Sequence, residues 1–126
     1  MLQTLHSSGA GEKMITAVYY ASPASYYNDF PGLSAIPPER VGLQGEYDYY
    51  GLAHRIQARF QDYMGRKEDA SIVVKQRGSA IILTGCVSKT ELLNDLVALA
   101  MATEGVTQLE VCHVIVQPNQ GMDIVA

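Results

Sequence analysis

Ser71-Ile72-Val73-Val74-Lys75-Gln76-Arg77-Gly78-Ser79-Ala80-Ile81-Ile82-Leu83-Thr84-Gly85-Cys86-Val87 is the stretch whose reading decides the fold. Two runs rich in β-branched residues, 71–77 and 80–87, flank a two-residue Gly78-Ser79 link. Gly78 supplies the positive φ that a tight hairpin turn demands, so the spacing predicts two antiparallel strands. A glycine inside an apolar strand weakens it, and Gly85 is therefore expected where a bulge or a close neighbour leaves no room for a side chain. A closely packed helix is the preferred reading, ahead of a ligand site.

Working outward, Ser88-Lys89-Thr90-Glu91 has the spacing of a capping box and predicts the start of a helix. Its apolar positions Leu92, Leu93, Leu96, Val97, Ala100 and Met101 form one broad stripe, and Gly105 stops it. Residues 106–116 then read as a third strand, before loop chemistry returns at 117–121. Upstream, Leu52, Ile56, Phe60 and Tyr63 recur at intervals of three and four, with Ala53 and Met64 beside them. This predicts an earlier helix over about 49–64, capped by Asp48 and closed by Gly65. The resulting order is α-β-β-α-β: an α/β (α+β sandwich) domain with a three-stranded mixed sheet and two helices on one face.

The whole chain has 126 residues, which suits one compact core and is too short for two ordinary domains. Residues 47–117 form the expected domain, 118–126 a tail, and 1–46 an N-terminal arm. That arm holds Pro23, Pro31, Pro37 and Pro38, several glycines, and Tyr19, Tyr20, Tyr26 and Tyr27. Its loop composition predicts no long element; the apolar run 14–20 and the tyrosines suit a segment laid across the domain or a partner, and the alternative is a disordered tail with incidental aromatics.

Acidic residues outnumber basic ones and give a formal net charge of −4, which argues against coating nucleic acid. Two cysteines, Cys86 and Cys112, without a Cys-x-x-Cys spacing, match neither a disulfide scaffold nor a zinc module. No basic leader precedes an apolar stretch, and no run approaches the ~18 apolar residues of a membrane span. The expectation is a cytoplasmic protein.

One feature of the predicted sheet bears on function. If Leu83, Val87, Leu109, Val111 and Ile115 face the helices, alternation leaves Ile82, Thr84, Cys86, Cys112, Val114 and Val116 on the other face. An apolar face of that kind is usually covered, either by the arm or by another chain. Self-association is the simplest cover, so a homo-oligomer or a protein partner is expected.

The arrangement of these pieces resembles the BON domain, the bacterial osmotic-shock and nodulation module. Gly78, Leu83, Gly85, Val87, Gly105 and Val106 sit on the positions of its pattern: a turn glycine, an apolar-x-Leu-x-Gly-x-Val strand, and a helix ending in Gly-Val. The resemblance covers about residues 48–116; Val111 and His113 depart from the residues often found there. It implies a non-catalytic module that docks proteins, assembles into oligomers or lies against phospholipid.

Catalytic chemistry has little to work with. His6, His54 and His113 show no metal-ligand spacing, and no cofactor is expected. Cys86 with His113 would make a thiolate–imidazolium pair across strands, but no orienting third group or oxyanion hole accompanies them. Residues 9–13 fail the phosphate-loop spacing. The alternative to protein docking is a peripheral phospholipid contact, made by the basic face of the first helix through Arg55, Arg59, Arg66 and Lys67, interrupted by Asp62, Glu68 and Asp69.

Overall fold

The computed structural model describes residues 2–6, 13–21, 36–65 and 70–118. The strands are β1 (Leu2–His6), β2 (Lys13–Tyr20), β3 (Ala70–Arg77), β4 (Ala80–Val87) and β5 (Gln108–Val116). The helices are α1 (Gly51–Met64) and α2 (Thr90–Met101).

β3 and β4 pair antiparallel without a break, from Ala70 opposite Val87 to Arg77 opposite Ala80. Gly78, at φ +65°, turns the chain between them. A two-residue link can join only antiparallel neighbours. From β4, by contrast, the chain crosses through α2, and that longer connection brings β5 back parallel to β4. The α-β-β-α-β order read from the sequence is therefore present from α1 to β5.

The sheet is larger than expected. β2 pairs antiparallel with the far side of β5, making a four-stranded mixed sheet, and β1 extends it at the edge in the order β1-β2-β5-β4-β3. The expectations of three strands and of no long element before residue 46 are both corrected. The apolar run at 14–20 outweighs the proline and glycine around it, because Ile15 and Ala17 are buried in the same core as the rest of the sheet. The run is neither a loose tail nor a segment laid over the domain; it joins the sheet as a strand beside β5.

Both helices contribute to one core. Leu52, Ile56 and Phe60 from α1 and Leu93, Leu96 and Ala100 from α2 meet Ile15, Ile81, Leu83, Val87, Leu109 and Val111 from the strands. Each of the larger side chains contributes about 1.5–3 kcal/mol on burial, which makes this layer the main driving force of the fold. Tyr63 departs from its expected place in the α1 stripe. It is half-exposed, and its hydroxyl donates to Asp95 Oδ2 at 2.6 Å, joining the two helices at their polar margin.

Three local expectations change. The register of β5 slips against both neighbours at Cys112–His113. Between the pairs Ile15–Val114 and Ala17–Val111, β5 has one residue more than β2, and it likewise has one more than β4 between Leu83–Val111 and Cys86–Ile115. His113, at φ +54°, occupies this bulge. An extra residue inverts side-chain alternation beyond it. Val114 and Val116 therefore point into the core, at 0% and 5% exposure, and Ile115 turns outward, the reverse of the faces assigned from simple alternation.

Gly85, at φ +125°, is also explained differently from its preferred reading. A β-carbon there would collide with the Ser71 carbonyl oxygen and crowd the Ile72 Cα at 3.1 Å. The close neighbour is the backbone of β3 and not a helix, beside the same irregularity in the β4–β5 pairing.

The capping box does not form. α2 begins at Thr90 after Lys89, with no side-chain bond to its cap. At α1, Asp48 accepts the Tyr50 N–H at 3.0 Å, yet the helix starts only at Gly51. Gly65 closes α1 at positive φ as expected, its N–H donating to the Gln61 carbonyl at 2.9 Å.

Candidate functional site: the open face and free edge of the sheet

Because both helices pack on one side, the other side of the sheet has no helical cover among the described residues. Alternation, corrected for the bulge, places Met14, Thr16, Val18 and Tyr20 of β2 there, with Ile82, Thr84 and Cys86 of β4 and Glu110, Cys112 and Ile115 of β5; Glu110 lies between Val18 and Ile82. All but the exposed Tyr20 are half-buried by their flat neighbours. Of the six residues first assigned to this face, Ile82, Thr84, Cys86 and Cys112 are on it, while Val114 and Val116 are not. Sequence reading missed Met14, Val18 and Ile115. The first two were legible as alternate positions of an apolar run; Ile115 was hidden by the bulge.

The bulge is held from this same face. The His113 N–H donates to Thr16 Oγ1 at 3.3 Å, and His113 Nδ1 lies 3.2 Å from Met14 Sδ. His113 thus contacts a thioether on β2. Cys86 and Cys112 are both free thiols.

One residue expected to contact lipid has another use. Arg55, half-buried, donates from Nε to the Val41 carbonyl at 2.8 Å, from Nη2 to that of Pro38 at 2.5 Å, and from Nη1 to that of Glu104 at 3.2 Å. Its fork therefore ties the connection before α1 to the turn after α2, and desolvation holds its pKa below the usual arginine value. Arg59 is exposed beside it. Arg66 and Lys67 lie outside the described residues, as do Tyr26 and Tyr27. Of the other two arm tyrosines, Tyr19 packs against the core, and burial raises its pKa, whereas Tyr20 is 70% exposed. Gly105 stands in the turn after α2, with the Pro38 carbonyl against it.

A second hub was invisible in the sequence. Gln76, on the core side of β3, accepts the Ala53 N–H at 2.8 Å and donates from Nε2 to the carbonyls of Glu39 at 2.8 Å and Gly78 at 2.9 Å. Nearby, Arg40 donates to the Tyr49 carbonyl at 2.6 Å and lies over the Tyr49 ring at 3.9 Å. These contacts order 36–50 as a strap around the start of α1. On its margin, His54 Nδ1 meets Asp48 Oδ2 at 2.7 Å, a bond that lowers the Asp48 pKa.

β3 is the outer strand opposite β1, and an open groove runs between it and α1, lined by Tyr50, Ala53, His54, Gln57, Val74 and Lys75. Among the described residues there is no cluster of three metal-binding side chains, and no helix is long and apolar enough to cross a membrane. The chain matches no family model, no curated protein and no solved structure.

Proposed function

We propose that this chain is a non-enzymatic interaction module of the BON type, which self-associates through the open face of its sheet. The observation that carries the reading is chemical. On the sheet face that neither helix covers, Met14 lies opposite Ile115, with Cys86 on the other side of Ile115, and Val18 and Ile82 flank Glu110. At about 25 cal/mol per Å², covering several hundred Å² of such a face is worth several kcal/mol before ordering entropy is subtracted. A second copy offers the same apolar patch in an isologous contact. The flexible Met14 side chain suits a surface that repacks on binding.

A phospholipid surface is the weaker reading, because the Arg55 guanidinium already serves three backbone carbonyls. Sedimentation velocity on the full chain tests the proposal. Wild type should sediment as an oligomer, and Ile82→Lys should reduce its size while leaving the melting temperature close to wild type. A wild-type monomer at high micromolar concentration, or an Ile82→Lys oligomer of unchanged size, would refute it.

A further inference from the structure

We infer that the free edge of β3 pairs with the β3 edge of a second copy, antiparallel and centred on Val73. This goes beyond the open-face reading, since it uses the backbone of an edge and not the side chains of a face.

β3 pairs with β4 through eight consecutive residues without a slip, and among the described residues no strand lies on its other side. The tight turn fixes which groups are free. In a two-residue hairpin the flanking pair, here Arg77 with Ala80, is the hydrogen-bonded one, so Arg77, Lys75, Val73 and Ser71 direct their backbone groups toward β4. The N–H and C=O groups of Ala70, Ile72, Val74 and Gln76 then face the open edge. That is a ready template for strand addition.

The side chains choose the occupant. Val73 is 50% exposed, the apolar member of an outward-facing row that otherwise holds Ser71, Lys75 and Arg77. An antiparallel pairing centred on it sets Val73 against Val73, Ile72 against Val74, Ser71 against Lys75, and Ala70 against Gln76. Apolar meets apolar on both faces, and the two Lys75 ammonium groups are kept apart. Centring on Val74 would instead set Val73 against Lys75 and Ile72 against Gln76. A two-fold contact must be self-complementary, and the Val73 register meets that condition.

The groove supplies the space. Its open cavity of about 430 Å³ runs alongside β3, with Ala53 and Val74 among its lining. Ile72 of the incoming strand stays in its own core and lies opposite Val74 at the mouth of this groove. Lys75 and Arg77, exposed on the outer face, are the kind of charge that keeps an edge from pairing indiscriminately, and the Val73 register leaves both clear of like charge.

Disulfide trapping reads this geometry directly. Residue 73 would form a non-hydrogen-bonded pair with its counterpart, the closest approach in an antiparallel ladder, with Cα atoms about 4.5 Å apart. In a Cys86→Ser, Cys112→Ser background of the full chain, Val73→Cys should convert to a covalent dimer under mild oxidation. Lys75→Cys, several residues from its own counterpart, should stay monomeric on a denaturing gel. Adding Ile82→Lys to the Val73→Cys protein should leave trapping intact, which separates this edge from the open face. Failure of Val73→Cys to cross-link, equal cross-linking by Lys75→Cys, or loss of trapping with Ile82→Lys would each overturn the inference. Loss with Ile82→Lys would assign the contact to the open face, whereas edge trapping alongside a failed face test would leave this seam standing alone.

Discussion

The Gln76 side chain caps a helix that begins on the other side of the core strap: its Oε1 accepts the Ala53 N–H at 2.8 Å across 23 residues of sequence. Ala53 is the third residue of α1, one of the early N–H groups that helical bonding leaves without a partner. The same amide donates to the Glu39 and Gly78 carbonyls, so one side chain joins helix, strap and hairpin turn.

Gln76→Leu should destabilise the protein by about 2–3 kcal/mol, since it removes a cap and leaves half-buried carbonyls without donors. Asp48→Ala, which removes an exposed bond to the Tyr50 N–H just ahead of the helix, should cost distinctly less. Urea denaturation midpoints compare the two. Equal losses would show that Gln76 is not the principal cap.

Arg55→Lys should behave as a disruptive change, because one ammonium cannot reproduce a planar fork donating to three carbonyls. A loss of about 1–3 kcal/mol is expected, with faster hydrogen exchange across 40–50. Arg59→Glu, at an exposed position, should stay within about 0.5 kcal/mol of wild type.

Val114→Lys places a charge at a position with 0% exposure and should unfold the protein. Ile115→Lys, on the open face, should keep near-wild-type circular dichroism. Leu83→Ala and Leu96→Ala, both in the core, should each cost about 2–5 kcal/mol in denaturant titrations. A folded Val114→Lys with an unfolded Ile115→Lys would reverse the faces and remove the bulge.

Gly85→Ala should cost about 3 kcal/mol or more, from a positive φ combined with collision against the Ser71 carbonyl. Gly65→Ala shares only the positive φ, with open space around it, and should cost about 1–2 kcal/mol. The difference between their thermal midpoints measures the strand contact itself.

Tyr63 predicts an alkaline transition. Its hydrogen bond to Asp95 raises the phenol pKa above 10.0, followed in effect by desolvation and the Asp95 charge. A raised folded value means that the contribution is whole below the ordinary tyrosine pKa and is lost as pH rises through the folded one. Melting temperatures recorded between about pH 9 and 11 should fall more steeply for wild type than for Tyr63→Phe. Parallel curves would show that the hydroxyl bond adds nothing to the folded state.

What the sequence determined by itself was the set of elements governed by near neighbours. Gly78 between two β-branched runs specifies the hairpin, because turn geometry is a property of a few consecutive residues. The Leu52–Ile56–Phe60 and Leu93–Leu96–Ala100 stripes specify the helices, because their period is written in adjacent turns. The run at 14–20 could be read as an apolar strand, but nothing local said that its neighbour would be β5.

The tertiary structure alone decided the rest. The bulge at His113 carries no glycine to mark it; it exists where β5 must match β2 on one side and β4 on the other, and it inverts Val114, Ile115 and Val116. Gln76 and Arg55 look like surface residues in sequence, and they became a helix cap and a backbone tie because folding brought backbone groups within reach of them. Local propensity acts over a few bonds, whereas satisfying buried polar groups and filling a core are conditions on the whole chain. Which face of the sheet the two helices cover followed from those conditions.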